Sequence, residues 1–204
     1  MNNETDLQIT QGLSRPELLA QAVGLFYDAF RLKIHHLEFF ARDRAQAERL
    51  LARSFRCELG FFAQAGPDLT GLLGLELAGG ERFLSFSYPI LRAEFGPPGA
   101  LWRWGWLTLS HLYQRPRPGE LRNEGLVVAE AGRGQGTGTA LLAQACIFAR
   151  QQGCSALTLE VVDTNPRARQ LYERLGFQVQ KEERYGVVTA RAGFHGAAFM
   201  RKTL

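Results

Sequence analysis

A chain of 204 residues carries a formal net charge of +4, with 46% hydrophobic and 22% charged residues. That length holds one sizeable α/β domain rather than two, and the composition argues against disorder. The arginines are scattered, densest around Arg103, Arg115, Arg117, Arg122 and Arg133, without a Lys/Arg run or an RNA-binding signature, so nucleic acid is not an expected partner.

No uncharged apolar run reaches the roughly 18 residues of a membrane-spanning helix, and the polar start MetAsnAsnGluThrAsp does not resemble a signal peptide. Cys57, Cys146 and Cys154 are odd in number and lack metal spacing. Neither His35 and His36 nor His111 and His195 offer ligand spacing, so no metal is expected. A reduced, cytoplasmic setting without a membrane partner is the expectation.

In chain order, Leu7 to Thr10 reads as a short strand, and Ser14 as the N-cap of a helix that has Pro16 in its first turn and runs to about residue 31. A second helix is expected from about Asp43 to Phe55. Two apolar strands, Cys57 to Ala63 and Leu72 to Leu77, flank GlyProAspLeuThrGly as a hairpin. Residues 79 to 119 are rich in aromatics and broken by GlyProProGly at 96 to 99 and ArgProArgPro at 115 to 118. A structureless loop of that length is unusual, so a short helix is expected from about Leu101 to Tyr113. Most of these aromatics are expected to pack the segment onto the domain; the rest border a pocket.

Leu121 to Val128 follows as a strand, with Gly125 marking a bulge. A glycine-dense turn then leads into a helix over Gly136 to Gln152. Ala156 to Val162 alternates as a strand. Pro166 opens a helix capped by Asn165 or Thr164 that ends at Gly176, and Phe177 to about Val188 and Phe194 to Lys202 close the sheet.

The stretch from Leu126 to Leu142 is the most informative. Gly132, Gly134, Gly136 and Gly138 free the backbone of Cβ atoms between a strand and a helix, so successive N–H groups and the positive helix end converge on one point. That is an anion cradle, and Arg133 adds a full charge. It is neither a Walker loop, since no Lys follows the glycines, nor a dinucleotide fingerprint, since the third glycine position falls on Thr137 or Thr139. A G-x-S-x-G elbow is also absent.

The pattern Arg133, Gly136, Gly138 fits Arg/Gln-x-x-Gly-x-Gly/Ala, and Leu157 to Phe177 fits L-x-V-x-x-x-N-x-x-A-x-x-L-Y-x-x-x-G-F. Together they resemble the acyl-CoA loop and second signature of the GCN5-related N-acetyltransferase (GNAT) superfamily, over roughly residues 121 to 202. Glu130 departs from the pattern, standing where that family often has Pro. The resemblance implies one α/β (α+β) domain over 1–204, with a mixed, mostly antiparallel sheet flanked by helices and an insert at 79–119 between strands three and four. It further implies acetyl-CoA as cosubstrate, held by Leu126, Val127, Val128, Arg133, Gly134, Gln135, Gly136, Thr137, Gly138, Thr139, Asn165, Arg169 and Tyr172.

The implied reaction is direct transfer of acetyl to a primary amine. The acceptor is expected to be a small molecule; a protein N-terminus or lysine, and a non-catalytic acyl-CoA sensor, are the alternatives. A homodimer is left open. An alkyl ammonium with a pKa of about 10.4 must lose its proton first, so a carboxylate base is expected. Glu124, beside the bulge, is preferred to Glu160, which stands twelve residues before Tyr172; water or a backbone relay is a third route. Tyr172 falls on the family's general-acid position. Its transfer to a thiolate is uphill by about 2 kcal/mol at ordinary pKa values, so positioning the sulfur is its simpler role.

Overall fold

The computed structural model describes residues 7–13, 15–187 and 189–204. The expected cap at Ser14 and the strand end at Val188 lie outside the described residues. Seven strands form one sheet: β1 (Leu7–Gln11), β2 (Gly60–Ala65), β3 (Asp68–Leu77), β4 (Glu120–Val128), β5 (Ala156–Val162), β6 (Gln178–Arg184) and β7 (Gly196–Thr203), in the order β1-β2-β3-β4-β5-β7-β6. Only β4 and β5 run parallel. The mixed, mostly antiparallel sheet expected from the sequence is the one observed.

Alternation along the strands divides the core into two layers. Phe62, Leu72 and Val127 pack beneath α1 (Pro16–Lys33), α2 (Arg44–Ser54) and α3 (Tyr88–Gln114). Phe61, Leu73, Leu75, Leu157, Leu159 and Val161 face α4 (Thr137–Gln151) and α5 (Pro166–Arg174). Glu76 on β3 and Glu160 on β5 therefore point to the α1/α3 side. Each fully buried Leu or Phe contributes about 1.5–3 kcal/mol.

Local chemistry sets the helix boundaries. Pro16 opens α1, whose buried Leu18, Ala22, Val23, Phe26 and Tyr27 follow helical spacing. Asp43 caps α2 by accepting from the Gln46 amide at 2.8 Å. Asn165, not Thr164, caps α5, accepting from the Ala168 amide at 3.2 Å; the Thr164 hydroxyl donates to Gly193 O instead.

Four expectations need correction. The hairpin turns more tightly, at Gly66–Pro67, and Cys57–Leu59 is a 3₁₀ turn rather than strand. The insert holds a long broken helix over Tyr88–Gln114 rather than a short one: α3 consists of two pieces joined at Gly96, where φ +68° and ψ +173° break the helix and Pro97–Pro98 start the second piece. The first helix does not stop near residue 31 but continues into a π-helical turn, Ile34–Glu38. The two C-terminal strands are also shorter at their facing ends, and the residues between them include a 3₁₀ turn, Ala190–Ala192.

Gly74 pairs with Gly125 across β3 and β4, and a Cβ at Gly74 would lie 2.7 Å from Phe83 Cγ. Phe83 is fully buried and has no room to retreat. Gly74→Ala should cost about 1–3 kcal/mol of stability, measured by denaturant unfolding. An unchanged midpoint would mean that the Phe83 contact is soft.

Candidate active site

β4 pairs with β5 only from Glu120↔Ala156 to Asn123↔Leu159. On its other edge β4 stays paired with β3 as far as Val128, with the register slipping so that Glu124 is the extra residue between Asn123 and Gly125. A bulged residue bends the strand and increases its twist. The Gly125 amide is held by Asn123 Oδ1 at 3.0 Å, so the bulge leaves no orphan donor there. Past it β4 and β5 part, and Glu124 and Glu160 are the first residue of each strand beyond the last pair.

On the α4 side, this fork leads to the cradle. Gly134 and Gly136 hold φ of +77° and +81°, and Gly136 is the N-cap of α4. A Cβ on either would meet nothing within 4 Å, so the glycines serve backbone conformation and leave open space above the helix end. Gln135 and Thr139 are exposed, whereas Thr137 and Gly138 are buried. Leu126 and Val128 flank Gly138, and Val127 turns to the opposite layer. Arg133 is exposed and donates to Val128 O at 3.4 Å. Asn165 is spent on its helix cap, and Arg169 on Glu173 at 3.0 Å and Glu182 at 2.8 Å. Tyr172 is 6% exposed in the α4/α5 layer, 5.8 Å from the Phe177 ring. Burial pushes its hydroxyl up to about 12.

The α1/α3 side holds a cavity of about 700 Å³. Its apolar wall includes Phe39, Phe86, Trp104, Trp106 and Phe194, and much of it comes from residues 80 to 115. Its polar lining includes Lys33, Glu38, Arg82, His111, Arg115 and Glu160. Glu124 does not line it. Its side chain is 6% exposed, with one oxygen accepting from Arg82 Nε at 2.7 Å and the other from the Leu84 amide at 2.9 Å. Burial raises the Glu124 carboxyl above its ordinary range, and Arg82 partly offsets this. Glu160 lies 3.7 Å from Arg122, which also reaches Glu76 at 3.5 Å.

Glu76 and His111 complete this network. Arg82 donates to His111 Nδ1 at 2.7 Å, and because Arg only donates, that nitrogen is an acceptor. It therefore has no proton for Glu76 Oε1, 3.3 Å away, and that buried oxygen is left without a hydrogen bond. Burial, then Arg82, Arg115 and Arg122, lower His111 to about 4, so it is neutral at pH 7. Burial, then the Glu124 charge, raise Glu76 to about 7. Sequence reasoning missed Glu38, Glu76, Arg82 and His111. Only Glu38 had a legible signal, a lone carboxylate in the run IleHisHisLeuGluPhePhe.

Residues 104–177 match the family model described as Acetyltransferase (GNAT) family. The whole chain is similar in fold to a GCN5-related N-acetyltransferase from Kribbella flavida: TM-score 0.58, 19% identity, covering 97% of this chain and 98% of that one. It is also similar to the ribosomal-protein-S18-alanine N-acetyltransferase from Escherichia coli: TM-score 0.52, 18% identity, covering 97% and 94%. A third likeness is to the IAA acetyltransferase from Bacillus cereus: TM-score 0.55, 15% identity, covering 98% and 100%. No curated protein matches the chain in sequence. The match to the GNAT acetyltransferase model thus falls on the segment that carries β4, the cradle, β5 and α5, and the likeness over the whole chain is one of fold. No group of His, Cys, Asp and Glu suited to a metal occurs among the described residues, and no described helix is long and apolar enough to cross a membrane.

Two measurements test this site. Gly136→Val should abolish CoA binding in calorimetry and cost about 1–2 kcal/mol of stability, because a branched residue is strained at positive φ. Gly153→Val, with φ +70° and nothing within 4 Å, should cost the same stability at the far end of α4 and leave CoA affinity intact. Equal affinity in both variants would remove the cradle from cofactor binding.

For Glu76, the folded-state pKa lies above the ordinary 4.5, so its contribution is fully present below pH 4.5 and is lost as pH rises through about 7. His111 acts in the opposite sense, its contribution being lost as pH falls from about 6.5 through about 4. The two oppose each other in the wild type between pH 4.5 and 6.5. Glu76→Gln should therefore gain stability relative to wild type between pH 4.5 and 8, by on the order of 1–3 kcal/mol in urea titrations. A difference that is flat with pH would mean that Arg122 keeps Glu76 ionised throughout.

Proposed function

We propose that this protein transfers the acetyl group of acetyl-CoA directly to the primary amine of a small molecule, without a covalent enzyme intermediate. The observation that carries the reading is the fork between β4 and β5, which joins the glycine cradle on one face of the sheet to the aromatic cavity on the other. The cradle fits a pyrophosphate: Gly134 and Gly136 are exposed at the positive end of α4, with open space where a Cβ would stand, and Arg133 stands beside them. When bound, acetyl-CoA supplies the activated acyl group as a thioester. Leu126, Val128 and Gly138 then line the approach to the fork, with Asn165, Arg169 and Tyr172 on its α5 side.

Glu160 is the better of the two sequence candidates for meeting the amine. It lines the cavity at the point where β5 leaves β4, and its side chain keeps 12% of its exposure. Glu124, the carboxylate preferred from sequence, has both oxygens engaged by Arg82 and the Leu84 amide. Its geometry supports a structural clamp that fixes the Arg82–Leu84 segment against β4. Tyr172 at about 12 is a poor acid for a thiolate near 8.5, since that transfer is uphill by about 5 kcal/mol. Positioning the sulfur from the α5 side remains its best-supported role. The concave, aromatic-walled cavity of about 700 Å³ favours a small acceptor over a peptide.

The experiment is a kinetic comparison on folded variants. Trp104→Ala should raise the KM of the amine about tenfold and leave that of acetyl-CoA unchanged, because Trp104 lines the cavity and not the cradle. Glu160→Gln should lower kcat/KM for the amine about tenfold or more, and Tyr172→Phe should lower kcat less than tenfold. Glu124→Gln should act mainly on thermal stability, by leaving Arg82 without its charged partner. Parallel losses for both substrates in Trp104→Ala, or CoA binding without any transfer, would favour an acyl-CoA sensor instead.

A further inference from the structure

The turn that follows α1 carries a carboxylate that no other feature of the fold explains. Ile34–Glu38 is π-helical, a wide turn that occurs mostly as a one-turn insertion in α-helices and is frequent at functional positions. Phe40, two residues on, holds φ +53°, which is strained for an aromatic residue. Surrounding bonds fix this geometry. His35 bridges the Tyr27 hydroxyl at 3.0 Å and the Ala41 carbonyl at 2.6 Å. The second piece of α3 grips the same segment, with Trp106 Nε1 donating to Leu37 O at 2.8 Å and Arg103 donating to Phe39 O at 2.7 Å and Phe40 O at 3.3 Å. The carbonyls on both sides of Glu38 are thus clamped by the insert.

Glu38 lines the cavity, and its Oε2 is buried without a hydrogen-bond partner. A buried carboxylate oxygen without a donor is costly unless a ligand supplies one. The other acidic groups near the fork differ: Glu124 has Arg82 and Leu84, Glu160 has Arg122, and Glu76, whose Oε1 is also unpartnered, is held by Arg122 through Oε2 and does not line the cavity. We infer that Glu38 is the carboxylate that binds the acceptor's ammonium and takes its proton, and that the acceptor is a primary amine on an aromatic or aliphatic body.

This inference rests on the acetyl-transfer reading above. The apolar wall of Phe39, Phe86, Trp104, Trp106 and Phe194 covers the body of such an amine, while its charged end lies between Glu38 and Glu160. Glu38 takes one proton from the ammonium, and the freed nitrogen lone pair forms the N–C bond to the thioester carbonyl carbon. The C–S bond breaks with its electron pair on sulfur. The nitrogen sheds a second proton to solvent, and the proton on Glu38 passes to the thiolate. Amide and thiol leave, with one proton released overall.

The groups that face Glu38 set its working range: Lys33 from α1, Arg82 and Arg122 from the sheet side, Glu160 from β5, and His111 and Arg115 from α3 and the segment after it. Burial raises its carboxyl above the ordinary range, and Lys33, Arg82 and Arg122 only partly offset this. A base raised in this way loses its activity on acidification at a higher pH than a free carboxylate does.

The test uses the full-length protein, acetyl-CoA and four amines, 2-phenylethylamine, hexylamine, ethanolamine and glucosamine, with thiol release as readout. The two apolar amines should exceed the polar pair about tenfold or more in kcat/KM. Glu38→Gln should lower kcat/KM for 2-phenylethylamine about a hundredfold, remove the acidic limb of its pH profile and leave CoA affinity by calorimetry unchanged. Trp106→Phe keeps the aromatic ring but loses the Leu37 bond, so it should lower kcat without changing the KM of acetyl-CoA.

Should Glu38→Gln not fold, Glu38→Asp serves, and an unmoved acidic limb in that variant overturns the role of Glu38. Full turnover in folded Glu38→Gln does the same. Equal rates for polar and apolar amines, or no transfer to any of the four by a protein that binds CoA, overturn the acceptor class. Failure of the wild type to bind CoA at all would instead defeat the acetyl-transfer reading.

Discussion

Parallel pairing between β4 and β5 ends at Asn123↔Leu159, and most of what is distinctive in this molecule depends on that ending. β4 cannot stay flat beyond Asn123, because Glu124 is one residue too many for its antiparallel partner β3. The extra residue twists the strand away from β5 while β3 continues to hold its other edge. Asn123 and Glu124 stabilise the distortion with their own side chains, one accepting from the Gly125 amide and the other from Arg82 and the Leu84 amide. A gap thus opens through the middle of a sheet that is otherwise fully paired between neighbours.

Electrostatics on the α1/α3 side follows from closing that gap with charged residues rather than apolar ones. Four carboxylates, Glu38, Glu76, Glu124 and Glu160, and two arginines, Arg82 and Arg122, meet in partly or wholly buried positions. Lys33 and Arg115 add positive charge from the edge of the cavity. Burial raises Glu38, Glu76 and Glu124 and lowers His111, and Glu76, at about 7, is the member placed to take up a proton close to neutral pH.

The insert joins this network to the rest of the fold. Its second helical piece supplies Trp104, Trp106 and His111 to the cavity and holds the π-helical turn through Arg103 and Trp106. It also leaves Leu101, Trp102, Leu109 and Leu112 well exposed, at 61%, 48%, 66% and 56%. Phe83, Phe86, Tyr88 and Phe95 pack onto the domain as expected, while Trp104 and Trp106 stand in the cavity wall and Trp106 holds the turn that carries Glu38.

The sequence by itself determined the local features that depend on short spacing. Alternation located the strands, Pro16 and Pro166 opened their helices, and the glycines from Gly132 to Gly138 marked a strand-to-helix cradle, because each of these signals acts within a few residues of itself. Gly125 flagged the bulge to within one position. Only the tertiary structure decided which carboxylates reach the cavity. Glu38, Glu76, Glu124 and Glu160 are far apart in the chain and are brought together by sheet order and strand parity, which no local spacing encodes. Glu124 looked like the stronger base because it stands at the bulge, but its oxygens are taken by Arg82 and Leu84, 42 and 40 residues earlier. The partners that decide whether a carboxylate is free or clamped come from distant segments, so its role follows from the fold rather than from its neighbours in sequence.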